Sequence, residues 1–519
     1  MSKAHVYARN MFASWFSYAA NLLVMFFLTP FVIRTLGDSA YGVWTLLISL
    51  TGYMGLVELG VRPGMGRFIN FYLGRNQPQK VNAIISTAMV IFLGCGALLV
   101  IVAVTLGVFF GHMFPKVPVE MLGDARLAIL LIAANLFVSF YSVAFLQVLT
   151  AHERFDLSNG INLILLALRT VATVLALWYG GGILWLAGIT LASGLLQLAA
   201  QAFMAKRVFP ALRVSPQLAS REHFRELFSF GLWAAVGSMA FQLLCWFDML
   251  MVGVFLGPAV VTLYTVGAQF VIYGRNLIGE CAAPFGPQIL KDCAVNDLPG
   301  LRYLIPRAGN VIMGLSTLMF LGFAFFGKEF IRLWMMDRGA GDTFATFTRF
   351  DVSYEVLMIL SLAQWASTAT IVLGNVYNGL NRVRFSAMLT LAQSIVSAAA
   401  VVVLLLSGAH LAGVALGGAV PRVVFAAIST MIVLRWIRVG WLEFARTQLS
   451  RWGALAAAFA LVCLAVNHLP HGTLLWFAVK VGLAGLAYMP LAWFILLPRD
   501  ERVRWGAVIR NKLTGRSSL

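Results

Sequence analysis

The chain has 519 residues, of which 61% are hydrophobic and only 11% charged, with a mean hydropathy of +0.87. That balance excludes a soluble globular domain and leaves an integral membrane protein. A net charge of +18 would raise nucleic acid as a partner for a soluble chain, but here the cations sit in short loops between apolar runs, with no nucleic-acid-binding module among them, and membrane lipids are their expected partners.

A bilayer-spanning helix needs about 20 mostly apolar residues. In chain order, about fourteen such runs are predicted, at 11–33, 43–61, 82–110, 126–149, 161–179, 184–205, 229–256, 259–283, 308–327, 352–380, 386–407, 411–434, 452–469 and 473–497. The first follows Lys3 and Arg9 as the core of a signal peptide would, but it is too long and lacks a small-residue cleavage site, so it reads as a retained span. Helices are expected throughout, since lipid offers the backbone no hydrogen-bond partner and nothing alternates like a barrel strand. Most of the 38 Lys and Arg fall in alternate loops and in the tail, which places both termini in the cytoplasm of a multi-pass inner-membrane protein. The five cysteines, at 95, 245, 281, 293 and 463, share no metal or disulfide spacing, and the seven histidines form no cluster, so no metal or cofactor is expected.

The chain repeats itself. LTPFVIRTLGDSAYGVWTL at 28–46 resembles FDMLMVGVFLGPAVVTLYTV at 247–266 in plan, with Leu36 and Gly37 over Leu256 and Gly257 and Tyr41 over Tyr264. The offset of about 220 residues equals six spans. An all-α fold is predicted, of two six-helix bundles related by a pseudo-twofold axis, plus two C-terminal helices. Its divisions are 1–205, a polar cytoplasmic linker at 206–227, a second bundle at 228–434, and helices 13 and 14 with a basic cytoplasmic tail at 435–519. Two similar bundles around a midplane cleft is an architecture that permits alternating access.

NLLVMFFLTPFVIRTLGDSAYGVWTLL, LTAHERFDLSNGINLI (149–164), FDMLMVGVFLGPAVVTLYTVGAQF and IRLWM (331–335) together resemble the Wzx-type polysaccharide flippases of the multidrug/oligosaccharidyl-lipid/polysaccharide flippase superfamily. The resemblance runs over nearly the whole chain, carried by hydrophobic, Gly, Pro and Tyr positions and not by a catalytic signature. It implies a flippase, not an enzyme, that moves undecaprenyl-pyrophosphate-linked oligosaccharide from the inner to the outer leaflet of a bacterial cytoplasmic membrane. It further implies a monomer working beside polysaccharide assembly proteins.

A charge at mid-membrane costs about 2.5 to 3.5 kcal/mol on insertion scales, so each one needs a reason. Four cations fall within predicted spans: Arg169, Arg275, Arg422 and Lys480. Arg169 lies about nine residues from its span end, hence roughly 13 Å deep at 1.5 Å per residue. Together the four would make a cationic cavity for a pyrophosphate and acidic sugars, the guanidinium being suited to bidentate phosphate contact; alternatively they pair with carboxylates or carbonyls for packing alone. Asp248 is the deepest carboxylate, and it either takes up H⁺ or Na⁺ to drive the cycle or pairs with a buried arginine. Glu280 and Glu58 differ by close to the repeat offset, and Glu58 stands four residues before Arg62, a favourable ion-pair spacing. Gln269, Tyr273, Asn276 and Glu280 share one helical face, as do Gln364, Thr368, Asn375 and Asn378. These stripes are candidate glycan contacts or interhelical hydrogen-bond partners.

Three rival functions share some of these features. A cation-coupled multidrug or metabolite antiporter of the same superfamily would be expected to offer a carboxylate-rich cavity, whereas here buried cations dominate. A peptidoglycan precursor (lipid II) flippase shares fold and carrier. A membrane glycan polymerase or ligase would need a large periplasmic loop with catalytic groups, and the longest such segment, about 328–351, holds no carboxylate and histidine constellation.

Overall fold

The computed structural model describes residues 3–58, 60–336, 347–497 and 502. Helices account for all of its regular structure; no strand occurs among the described residues. In chain order they are α1 (Lys3–Leu36), α2 (Asp38–Met54), α3 (Val61–Gly74), α4 (Pro78–Met113), α5 (Val119–Ala151), α6 (Phe155–Trp178), α7 (Ile183–Val208), α8 (Arg221–Phe255) and α9 (Pro258–Ala282). There follow α10 (Gly286–Ala294), α11 (Leu298–Ser316), α12 (Gly322–Met335), α13 (Asp351–Ser367), α14 (Thr370–Gly379), α15 (Val383–Leu406), α16 (Leu411–Trp436), α17 (Trp441–Phe444), α18 (Ser450–Asn467) and α19 (Leu474–Leu496). Short π-helical turns at Thr317–Leu321 and Ala445–Leu449 join α11 to α12 and α17 to α18.

Among the described residues, twelve helical stretches are long and apolar enough to cross a membrane, and α13 with α14, bent by 43° at their junction, makes a thirteenth. The remaining member of the predicted fourteen is α9. Its Gln269, Tyr273, Arg275, Asn276 and Glu280 keep it too polar to qualify by apolarity. This is a multi-pass all-α membrane protein.

Two compact units make up the chain, residues 1–262 and 263–519. In the first, α5 packs along α4 and α7, α6 along α1 and α7, and α8 along α2 and α3. Small residues let the α2 and α8–α9 backbones meet: a Cβ on Gly42 would fall on the Pro258 carbonyl, and one on Gly253 would fall on the Leu46 side chain. The boundary lies after Thr262, inside α9, whereas the polarity of 206–227 had placed the division earlier. That polar segment is bonded to the first unit. Asn82 of α4 donates to the Ala211 carbonyl at 2.9 Å and accepts from the Arg213 amide at 3.1 Å. Ser86 and Thr87 accept from the amides of Ser215 and Ser220 at 3.2 and 3.1 Å. Ser220 then caps α8, accepting from the His223 amide.

In the second unit α13 and α15 pack on α16, α12 on α13, and the α18–α19 pair on α11 and α12. The basic tail predicted after α19 lies outside the described residues, Arg502 excepted.

The backbone carries the repeat more plainly than the side chains do. Left-handed residues recur in matching places: Gly37 (φ 80°) and Gly257 (φ 98°), and Asn76 (53°) and Asn296 (54°), each pair about 220 residues apart. Glu153 (58°) and Asn381 (55°), and Gly180 (79°) and Gly408 (82°), recur about 228 residues apart. Such conformations are disfavoured for L-residues and are kept where a helix must end sharply. Four of them in the same order mark the same helix breaks in each half.

The close approach at Gly42 gives a direct test. Gly42→Ala should overpack the contact with Pro258 and cost about 1–3 kcal/mol, while Gly94→Ala, with open space around it, should leave the protein unchanged. Thermal unfolding in detergent should show a lowered midpoint for the first and none for the second; equal midpoints would contradict the packing described.

Candidate functional site

In the first unit, Asp248 sits half-buried on α8 within Coulombic reach of the Tyr53 hydroxyl on α2. Elsewhere on the contact between α2 and α8, Trp246 donates to Gln242 at 2.9 Å, and Gln242 donates to the Gly52 carbonyl at 2.8 Å. Glu58 forms the ion pair that its spacing implied, 3.2 Å from Arg62.

Arg169 projects from α6 and donates to the Thr190 hydroxyl on α7 at 3.3 Å, and that hydroxyl donates in turn to the Leu186 carbonyl. No carboxylate pairs with Arg169 among the described residues. A hydroxyl can orient a guanidinium but cannot neutralise it. The charge is retained within a candidate membrane span.

Lys480 has the opposite environment, and its assignment to the cationic cavity is corrected. It is fully buried on α19, where its ammonium donates to Glu329 of α12 at 2.6 Å and lies 2.7 Å from His471 Nδ1. That ring nitrogen is 3.0 Å from the same carboxylate oxygen, and the Gly472 amide donates to the other at 3.2 Å. Every strong valence of the pair is internal, so Lys480 serves packing. Sequence reasoning missed Glu329 because it ended the ninth span at 327, whereas α12 runs on to Met335.

The second unit brings together residues taken from separate stretches. Arg422 of α16 donates to the Gln364 side chain of α13 at 3.3 Å. Thr368 donates to the Gln364 carbonyl at 2.7 Å, and its hydroxyl meets that of Ser316 at 2.9 Å. Ser367 also bonds to the Gln364 carbonyl, and Thr370 to that of Ser367. Hydroxyls that return to backbone carbonyls compete with the helical ladder and bend it, and the 43° bend falls at this cluster. It was predicted as one span, 352–380. Facing it is the π-turn, where Trp365 donates to Thr317 at 3.0 Å. Broken helices in membrane bundles are common sites of substrate and ion contact.

On α9, Gly267, Val271, Gly274 and Ile278 form the packing face, Gly267 against Ser353 and Val356 and Gly274 against Phe320. The polar stripe lies on the opposite side of the helix: Asn276 and Glu280 are exposed, Tyr273 is half-buried and Gln269 is buried. Arg275 is half-buried on its flank. Asn375 of α14 abuts Gly286, and Asn378 is exposed.

Comparison with known proteins places this arrangement. Residues 7–282 match the family described as "Polysaccharide biosynthesis protein". The chain belongs to the polysaccharide biosynthesis protein family. A Bacillus subtilis relative, "Uncharacterized membrane protein EpsK", is 24% identical over 433 residues, 81% of either chain. A Shigella flexneri protein named "Putative O-antigen transporter" is 20% identical over 264 residues, covering 51% of this chain and 62% of its own. In fold, the chain is similar to the lipid II flippase MurJ in an inward closed conformation, with a TM-score of 0.71 and 12% identity, over 93% of this chain and 98% of that one. The family match ends with α9. It takes in Arg169, Asp248 and the α9 stripe, while the Arg422–Gln364 cluster and Lys480 lie beyond it.

The contrast between the two cations has a measurable consequence. Lys480→Ala would strand the buried Glu329 carboxylate at a cost of about 3–5 kcal/mol, so membrane abundance should collapse; adding Glu329→Gln should recover much of it. Full abundance of the single variant would refute the pairing.

Proposed function

We propose that this transporter of the polysaccharide biosynthesis protein family flips undecaprenyl-pyrophosphate-linked oligosaccharide from the cytoplasmic to the periplasmic leaflet of a bacterial inner membrane, both termini being cytoplasmic. Arg169 carries the proposal: a cation within a span, exposed on the protein surface, oriented by a neutral hydroxyl and ion-paired to no described carboxylate, stands where hydrocarbon would penalise it and an anionic cargo would offset that cost. Arg275 and Arg422 extend the same chemistry, and the exposed part of the α9 stripe offers donors and acceptors to sugars. The two repeated halves rock to alternate access, with Asp248 beside Tyr53 as the group that takes up H⁺ or Na⁺. Family membership and the name of the Shigella relative favour this reading over drug efflux and over enzyme activity, whereas the fold, which a lipid II flippase and a multidrug transporter (TM-score 0.65) both share, does not distinguish them.

Deleting the gene should leave the lipid-linked oligosaccharide in the inner leaflet and abolish the surface polysaccharide. A deletion strain with normal glycan and new sensitivity to cationic dyes would instead indicate a drug antiporter. Arg169→Ala should lower export roughly 10- to 100-fold, the worth of one charge-assisted hydrogen bond, at normal membrane abundance. Arg169→Lys should recover part of it, since the ammonium keeps the charge and loses the fork. Loss of abundance in Arg169→Ala would show a structural role.

A further inference from the structure

On the second unit, a groove of about 850 Å³ runs between α11 and α19, walled by Val311, Leu315, Leu318, Met489, Ala492 and Trp493. The side-chain amide of Asn310 and the hydroxyl of Tyr488 along it are spent within the protein. Asn310 donates to the Leu496 carbonyl at 3.2 Å and accepts from Trp452 at 2.9 Å, and the Tyr488 hydroxyl donates to the Gly314 carbonyl. The walls thus favour hydrocarbon over water or sugar.

One end is different. Arg307 stacks its guanidinium on the Tyr303 ring, 3.0 Å from the centroid, and donates to the Tyr303 carbonyl. Asn310 meets Leu496 while Gly314 meets Tyr488, so α19 runs antiparallel to α11 and its C-terminal end lies toward Arg307. Arg502, placed over Phe494 at 5.6 Å, brings a second cation to that end. From Arg307 on α11 to Leu318 in the π-turn, the chain rises about 16 Å at 1.5 Å per residue. One leaflet contributes about 15 Å to a hydrocarbon core of about 30 Å. A groove one leaflet deep, apolar along its length and with the Arg307 guanidinium at its mouth, is complementary to a membrane lipid with a negative headgroup.

We propose that this groove binds one anionic diacyl phospholipid, its phosphate against Arg307 and an acyl chain along α11 and α19. A long polyprenyl chain would overrun it. The site is independent of the transport reading and would hold even if the cargo were something else.

The test is native mass spectrometry of the full chain in detergent, titrated with phosphatidylglycerol and phosphatidylcholine of matched chains. Phosphatidylglycerol should bind about fivefold more tightly, the worth of one basic side chain beside an anionic lipid. Arg307→Ala should abolish that preference, and Ala492→Trp, which fills the groove, should weaken both lipids. Equal binding of the two lipids to the unaltered protein, or a preference that survives both substitutions, would overturn the proposal. So would displacement of phosphatidylglycerol by equimolar undecaprenyl phosphate, which would assign the groove to the carrier's tail.

Discussion

Lipid offers no hydrogen-bond partner, so each polar group drawn into the membrane must be satisfied by the protein itself. This constraint makes the chain helical, and it also decides what each polar side chain within a span can do. Lys480 meets it with a carboxylate and becomes part of the packing. Arg169 meets it with a hydroxyl, which leaves the charge in place. Thr368, Ser367 and Thr370 meet it by turning back on their own helix, and the helix bends.

The same constraint marks the places that are poised to change shape. Where α13 gives way to α14, and where α11 passes through a π-turn, the ladder is already interrupted and held by side-chain hydroxyls that have other partners within reach. Arg422 and Gln364 join α16 to that interruption. A ligand that competed for Arg422 would act on the bend directly, which gives a physical route from cargo to conformation.

Much of the fold was legible because hydropathy and helical periodicity are local. The α9 stripe could be read at i, i+4 and i+7 spacing, and the Glu58–Arg62 pair from its four-residue separation, although the left-handed Gly60 breaks the helix between them. The repeat was visible in Leu36–Gly37 and Leu256–Gly257, although its clearest signature, the recurring left-handed residues at Asn76 and Asn296 and beyond, is a property of φ that no side-chain pattern announces. What could not be read was long-range. Glu329 stands 151 residues before Lys480, and a span boundary set by hydropathy put it in a loop. The bend in α13–α14 was hidden because Ser and Thr are nearly neutral in hydropathy, even though Ser367, Thr368 and Thr370 together form a back-bonding cluster. The boundary between compact units falls inside α9 because α8 packs on α2, α3 and α4.

The central claim is that a retained cation within the membrane serves an anionic lipid-linked cargo. It is tested most directly by reconstituting the purified chain in proteoliposomes that hold undecaprenyl-pyrophosphate-linked oligosaccharide in both leaflets, then adding an impermeant glycosidase. With the protein present, nearly all of the oligosaccharide should become cleavable as the inner pool is flipped outward, and with Arg169→Ala only about the outer half. Protection of the inner half by the unaltered protein, in vesicles where the same preparation moves a cationic dye, would contradict the account.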